Sequence, residues 1–409
     1  MRIAHVITRM IVGGAQENTL LCCEDLIQHH GDEVLLITGP ALGPEGDLLA
    51  QSRAGEARGP GATPAVAGRV AGVAEQGIRP QVPVALIPAM RRAVSPWLDW
   101  QSYRQLKEQL RSFRPDVVHT HSAKAGILGR MAATALRVPA IVHTVHGAPF
   151  HPYQSGLARR AIIWAERFGA RRCQRLVSVA DAMTDLLVEA GVAPREKFVT
   201  IYSGMDVNPF LRANEQREVV RRELGFQPKQ VVIGKIARLF HLKGHEYLIA
   251  AARTVIQRCD NVRFLLVGDG ILRAELEQEI GRLGLAEYFR FTGLVPPGRI
   301  PALLGAMDAL VHVSLREGLA RALPQALIAG KPVVSFDVDG AREVTIPGET
   351  GFLIPAGAVE PLAEALVKLA TDAALRERLG QGGCRRFADQ FRHETMTQQL
   401  RELYQKLLS

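Results

Sequence analysis

The chain has 409 residues, 47% of them hydrophobic and 22% charged, and carries a net charge of +9. This composition excludes a disordered or fibrous chain, and the length suits two domains, since a single hydrophobic core stops growing at about 250–300 residues. No apolar run approaches the ~20 residues of a membrane-spanning helix. Five cysteines, an odd number without metal-type spacing, argue against a disulfide framework and for a reducing compartment.

The N-terminus, MRIAHVITRM, is interrupted by Arg9 and reads as a first strand, not a leader peptide. The strand at residues 3–8 runs into Gly13-Gly14-Ala15-Gln16, a helix is expected over Glu17–His29, and a second strand over Glu33–Thr38. Strand, glycine turn, helix, strand is the repeating unit of a doubly wound parallel sheet. Paired glycines allow close approach of a ligand and equally suit a plain tight turn; the three-glycine dinucleotide spacing is missing. Residues 53–83 are more than half Ala, Gly and Pro and read as a low-complexity surface insertion, loosely helical around Val66–Gln76. A strand resumes at Val84–Ile87.

The segment AMRRAVSPWLDW then leads into a helix ending near Phe113. Its arginines and tryptophans suit a membrane surface or a phosphorylated acceptor, but the plainer expectation is a helix packing Trp97 and Trp100 inward. Strands follow at Asp116–Thr120 and Ala140–Thr144. Four histidines, His119, His121, His143 and His146, fall at their ends and invite a metal reading. No Cys, Asp or Glu cluster supports it, and strand C-termini are where such sheets place ligand sites, so polar contact with a substrate is the preferred reading. Residues 154–175 form an arginine-rich amphipathic helix that suits a solvated face or an anionic membrane. Strands at Leu176–Val179 and Lys197–Ile201 precede SGMDVNPF, where the domain boundary is placed.

The second half repeats the pattern. The strand Val231–Ala237 ends in a loop carrying Arg238 and Lys243, before a helix at His245–Arg258. Two cations at a helix start suit a phosphate clamp. The strand Val262–Val267 ends at Gly268-Asp269-Gly270, and a short strand at Arg290–Gly293 leads to a loop from Leu294 to Pro297 that suits the floor of a base site. The stretch Val311–Val334 reads as a strand to Leu315, a break at Glu317-Gly318, a helix opening within Ala320–Pro324 and closed by Gly330, and a strand from Val333. Glu317 stands beside a helix start whose dipole favours phosphate, and an acidic residue there suits a sugar hydroxyl. A last strand at Gly351–Ile354 precedes helices that end over Phe391–Leu408.

In order along the chain, GGAQEN, HTHSAKAG, HTVHG, KIARLFHLKGH, LVGDG, FTGLV and REGLARALPQALIAGKPVV resemble the family-four retaining glycosyltransferases of the GT-B type. The resemblance covers nearly the whole chain apart from residues 53–83. It implies an N-terminal Rossmann-like acceptor-side domain over 1–205, a nucleotide-sugar donor domain over 206–388, and a helix over 389–409 returning to the first domain, with the domains facing across a cleft. It implies that Gly13 and Gly14 underlie the donor diphosphate. On the same resemblance, His146 would contact the donor sugar and help stabilise charge at the anomeric centre. Arg238 and Lys243 would hold the phosphates in place of a metal, so no cofactor is expected. Glu317 would bind a sugar hydroxyl, helped by the backbone of Gly318 and Leu319, while Gly268 and Leu294 would belong to the donor pocket.

One position departs from the family pattern of two glutamates separated by seven residues: the second is Gln325. An amide still accepts a ribose hydrogen bond, but a bond to a charged group is worth ~1.5–3 kcal/mol against ~0.5–1.5 for a neutral one, so weaker nucleotide binding is expected. The implied activity is transfer of a sugar, from UDP by the commonest family choice, to a saccharide or polyprenyl-linked acceptor in cell-surface polysaccharide or glycolipid synthesis. The implied place is the cytoplasm, with contact to an anionic inner membrane face suggested by the basic N-terminal half; no nucleic-acid motif is present. Competing readings are a nucleotide-sugar epimerase and a non-catalytic nucleotide-sugar-binding scaffold, which transfer experiments with and without acceptor separate.

Overall fold

The computed structural model describes residues 1–42, 46–50, 81–150 and 154–409. Most of the expected insertion, residues 53–80 with its loose helix, lies outside the described residues. The chain forms two compact units. One comprises Met1–Val179, Thr184–Met205 and His393–Ser409, the other Ala180–Met183 and Asp206–Arg392.

The first unit contains a parallel sheet of β1 (Arg2–Arg9), β2 (Glu33–Gly39), β3 (Val84–Leu86), β4 (Val117–His121), β5 (Ala140–Val145), β6 (Arg175–Ser178) and β7 (Phe198–Thr200). Their order across the sheet is β3-β2-β1-β4-β5-β6-β7. Every residue of β4 and β5 is buried, as strands covered by helices on both faces require. The connecting helices are α1 (Gly14–Gln28), α2 (Pro96–Phe113), α3 (Ala123–Ala135), α4 (Gly156–Ala170) and α5 (Asp181–Glu189). Within α2 the buried residues are Ser102, Leu106 and Leu110, one stripe at a spacing of four. Trp97 and Trp100 fall on the opposite side and are 64% and 47% exposed, against the expectation that they pack inward.

The second unit repeats the arrangement with β8 (Val231–Ile236), β9 (Val262–Val267), β10 (Phe289–Gly293), β11 (Ala309–His312), β12 (Val333–Phe336) and β13 (Gly351–Ile354). Their order is β10-β9-β8-β11-β12-β13, all parallel. Helices α6 (His245–Arg258), α7 (Arg273–Arg282), α8 (Ala322–Ile328), α9 (Val359–Thr371) and α10 (Ala373–Phe387) connect and cover the strands. The strand expected to reach Leu315 ends at His312, because the chain turns there toward the loop of Glu317. The two doubly wound parallel sheets are those the sequence implied. In each sheet the chain reverses direction of travel once, between β1 and β4 and between β8 and β11, and this is where such folds collect ligand-binding loops.

The last helix, α11 (His393–Leu408), belongs to the first unit. Asp25 of α1 accepts from His393 Nδ1 and Thr397 Oγ1, both at 2.8 Å, and Asp32 is shared by Arg401 Nε at 2.8 Å and the N-terminal ammonium at 2.7 Å. Tyr404 completes the seam by pairing with His119 inside the sheet.

In the second unit one carboxylate organises a partly buried polar knot. Asp308 accepts from Arg217 Nη2 at 2.6 Å, Arg221 Nη1 at 3.2 Å and the Val232 N–H at 2.7 Å. The Arg221 side chain is only 2% exposed and also donates to the carbonyls of Ala306, Gln227 and Gln230. Removing the carboxylate strands a buried guanidinium, which typically costs about 3–5 kcal/mol. Asp308→Ala is therefore expected to lower the urea midpoint of the second unit by that much stability; a loss below about 1 kcal/mol would show that the knot is not a stabilising one.

Candidate functional site

The reversal between β8 and β11 sets two loops side by side. After β8 the chain passes Arg238 and Lys243 and enters α6 through Gly244, whose φ is +68°. A Cβ at Gly244 would sit 1.8 Å from the Val313 carbonyl oxygen, so glycine is required both by the left-handed backbone and by the approach of the second loop. That second loop follows β11 and is tied to the first by the Leu315 N–H donating to the Leu242 carbonyl at 2.9 Å. Farther along it, the Glu317 N–H donates to Asp339 Oδ2 at 2.6 Å, and Gly318 O accepts from the Gly340 N–H at 3.0 Å. The backbone around Glu317 is thereby held from both sides.

The consequence is a pair separated by more than seventy residues of chain. Lys243 Nζ lies 2.5 Å from Glu317 Oε1, and His312 Nε2 approaches the same oxygen at 3.4 Å, an ion-pair distance without hydrogen-bond geometry. Burial opposes ionisation of Glu317, but His312 and Lys243 outweigh it and hold the carboxyl well below the usual carboxylate range. Arg238 begins the same loop as Lys243. It is exposed, its guanidinium lies 4.9 Å from the Phe240 ring centroid, and its carbonyl accepts from His245 Nε2 at 3.0 Å.

Beneath this pair stand polar groups that the pattern of the sequence did not single out. The ammonium of Lys235, on β8, is fully buried and has no hydrogen-bond partner. Burial lowers it to about 7, partly opposed by Glu317. His245 is lowered to about 4 by burial and by Lys235, and His312 is lowered by burial against the pull of Glu317. A lysine inside a strand otherwise made of Val, Ile and Gly is the signal available in the sequence, since a parallel strand covered on both faces has no solvent for a charge.

The remaining expected positions of the second unit lie on the neighbouring loops. Gly268 follows β9 with φ +136°, and a Cβ there would meet the Ala237 carbonyl oxygen at 2.1 Å, so this turn presses directly on the chain before Arg238. Its N–H donates to Gly293 at 3.2 Å, and Leu294, the next residue, is 78% exposed. Gly318 and Leu319 are half-buried ahead of α8, and Gln325 is half-buried within it. Lys243 and Glu317 are thus in contact, while Arg238, Gly268, Leu294, Gly318, Leu319 and Gln325 occupy loops and a helix at the strand ends around them.

The other expected residues belong to the first unit. Gly13 precedes α1 as its N-cap, and Gly14 is its first residue; Gly13 has an extended φ of 178°, so no unusual conformation demands glycine there. His146 follows β5 and pairs through Nε2 with His121 Nδ1 at 3.1 Å. His121 in turn meets His5, which the sequence reading did not connect to the strand-end histidines. One ring nitrogen from each of His5, His119 and His121 lies within 4.8 Å of the other two.

Because the Glu317 carboxyl is easier to ionise folded than unfolded, it adds stability that is fully present above the usual carboxylate pKa of about 4.3 and is lost as pH falls toward its depressed folded value. The urea midpoint of the second unit should therefore drop more steeply between about pH 5 and pH 3 in the native chain than in Glu317→Gln. Parallel curves would show that the pair contributes nothing to stability.

Residues 13–204 match the family described as glycosyl transferase 4-like domain, and residues 216–386 that described as glycosyl transferases group 1. The UDP-Gal:alpha-D-GlcNAc-diphosphoundecaprenol alpha-1,3-galactosyltransferase of Escherichia coli is 30% identical over 293 residues, 71% of this chain and 75% of that protein. The capsular polysaccharide biosynthesis glycosyltransferase CapM of Staphylococcus aureus is 23% identical over 335 residues, 80% of this chain and 86% of its own length. Among solved structures, Anabaena HepE in complex with UDP superposes with a TM-score of 0.78 at 23% identity, covering 99% of this chain and 100% of that one, a likeness of fold. Matched along both halves, and 30% identical to a relative over most of that relative's length, the chain belongs to the family-four glycosyltransferases of the GT-B fold.

Proposed function

We propose that this glycosyltransferase moves a sugar from a UDP-sugar to a saccharide or polyprenyl-linked acceptor, with the anomeric configuration retained and without a metal. The observation that carries the reading is the contact between Lys243 and Glu317 at the β8–β11 reversal. A diphosphate arriving at this helix start competes for the Lys243 ammonium. The Glu317 carboxylate, already ionised, then has its lone pairs available to hydroxyls of the transferred sugar. Arg238, exposed on the same loop, adds a second cation, so the two neutralise the leaving nucleoside diphosphate, a duty that a metal ion performs elsewhere. Departure and attack on one face of the sugar, assisted by phosphate, account for retention without a pair of carboxylates at glycosidase spacing. His146 in the first unit is assigned to the donor sugar, and Gln325 to a neutral, weaker hold on the ribose.

The choice of UDP and of a lipid-linked or polysaccharide acceptor is supported by the relatives: the Escherichia coli protein uses UDP-Gal and a diphosphoundecaprenol acceptor, and CapM serves capsular polysaccharide biosynthesis. Lys243→Ala is expected to reduce turnover of the preferred nucleotide sugar by about 10²–10³-fold with the circular dichroism spectrum unchanged, while the native chain keeps its rate in EDTA. Near-normal turnover in the variant would remove Lys243 from the clamp, and loss of rate in EDTA would overturn metal independence.

We further propose that the first unit works at the inner membrane face. Helices α2 and α4 flank α3 on one side of the sheet. They expose Trp97, Trp100, Leu157 and Trp164, among exposed Arg91, Arg92, Arg159 and Arg160. Aromatic rings with surrounding arginines suit the headgroup layer of an anionic bilayer. Among the described residues no helix is long and apolar enough to cross a membrane. Vesicles containing phosphatidylglycerol should sediment the chain more strongly than phosphatidylcholine vesicles, and Trp97→Ser with Trp164→Ser should release it; equal binding to both lipids would refute the surface.

A further inference from the structure

Behind His146 the first unit carries a column of buried imidazoles. His5 lies on β1, His119 and His121 on β4, and His146 just after β5, three adjacent strands of the sheet. His121 is the central link, with Nε2 3.0 Å from His5 Nδ1 and Nδ1 3.1 Å from His146 Nε2. The His5 and His121 ring planes are 12° apart with centroids at 5.3 Å. For an N···N distance of 3.0 Å, that separation places the rings edge to edge and nearly coplanar, where an imidazole N–H and lone pair point at each other. The His121–His146 pair has the same 5.3 Å separation at 29°. His119 stands aside from this line, bonded to Tyr404 and, at 2.7 Å, to Thr144 Oγ1. Both nitrogens of His119 and of His121 are therefore already engaged, which makes the cluster a hydrogen-bonded relay and not a vacant set of metal ligands.

The direction of the relay follows from its far end. His5 Nε2 is buried and has no partner. A neutral imidazole has one N–H and one bare nitrogen, so protonation at one end determines every link. Were His5 Nε2 to carry its proton, an orphan N–H donor would be buried, which folded proteins rarely tolerate. With His5 Nε2 bare, His5 Nδ1–H donates to His121 Nε2, and His121 Nδ1–H donates to His146 Nε2. A neutral His146 then holds its own proton on Nδ1. We propose that His5 and His121 are positioning residues that lock His146 as the neutral Nδ1–H tautomer, so that it meets oxygens of the transferred sugar as a hydrogen-bond donor and not as a base or a cation. The consequence for catalysis rests on the reading of His146 as a donor-sugar contact; the tautomer does not.

The surroundings favour neutrality. Burial lowers His5 to about 3 and holds His119, His121 and His143 well below the usual histidine range, with mutual repulsion and Arg130 of α3 adding to the effect. Tyr404 of α11 is the other titratable group on the column, and burial raises its phenol, so it stays protonated.

The test is ¹⁵N NMR of the full chain with labelled histidine, His146 being assigned by the signals lost in His146→Gln. The expected spectrum has a pyrrole-type Nδ1 and a pyridine-type Nε2 for His146, unchanged from about pH 8 to about pH 6. His5→Leu should release the lock: His146 shows mixed tautomers, and kcat/KM gains an acid limb falling about tenfold per unit below about pH 6.5. His5→Asn, whose amide nitrogen takes the place of Nδ1, should restore the single tautomer. An Nε2–H or protonated His146 in the native spectrum overturns the proposal whether or not the variants fold, and so does a tautomer unaffected by His5→Leu. If the tautomer is as expected but His146→Ala retains full turnover, the relay stands and the catalytic assignment of His146 falls.

Discussion

The contact between Lys243 and Glu317 is the interaction around which the strand-end loops of the second unit are arranged. Neither residue is positioned by its own element alone. Lys243 leaves β8 on a loop that reaches α6 only through the left-handed Gly244, and Glu317 hangs between Leu315, tied to Leu242, and Asp339, which accepts its N–H. The two loops meet because the sheet reverses its order between β8 and β11. The buried Lys235 and His312 then set the electrostatics from below, the first an unpaired ammonium, the second an imidazole facing the same carboxylate oxygen.

The two units use one architecture for different purposes. In the second, unlike charges are gathered at the strand ends, where a charged ligand can compete for them. In the first, the equivalent reversal between β1 and β4 is filled by neutral imidazoles whose hydrogen bonds run through the sheet toward His146. In a buried polar network of this kind each unpaired group carries its desolvation cost, which in this line falls on the bare Nε2 of His5. The last segment of the chain joins the same unit: α11 is fastened to Asp25 of α1 and to Asp32 just before β2, and its Tyr404 reaches His119.

Gln325 and the exposed tryptophans show where this chain individualises a shared fold. The amide of Gln325 stands in the helix Ala322–Ile328 where the family pattern has a carboxylate, while Arg238 and Lys243 are both present on the loop after β8. The tryptophans lie outward because α2 buries only the stripe of Ser102, Leu106 and Leu110, and exposed arginines stand around them.

The sequence by itself determined the fold class. Alternating strand and helix periods, glycines at the turns and the ordered motifs from GGAQEN to REGLARALPQALIAGKPVV are local signals, and they imply two doubly wound sheets and a glycosyltransferase. Glu317, Lys243, Arg238 and His146 could be named because they stand in those motifs. Only the tertiary structure decided that Lys243 touches Glu317, that Lys235 and His312 lie under the pair, that His5 continues the line of His121 and His146, and that Trp97 and Trp100 face outward. The reason is physical: periodicity reports which face of an element is apolar, whereas contacts between residues far apart in the chain depend on strand order and on which neighbour covers each face.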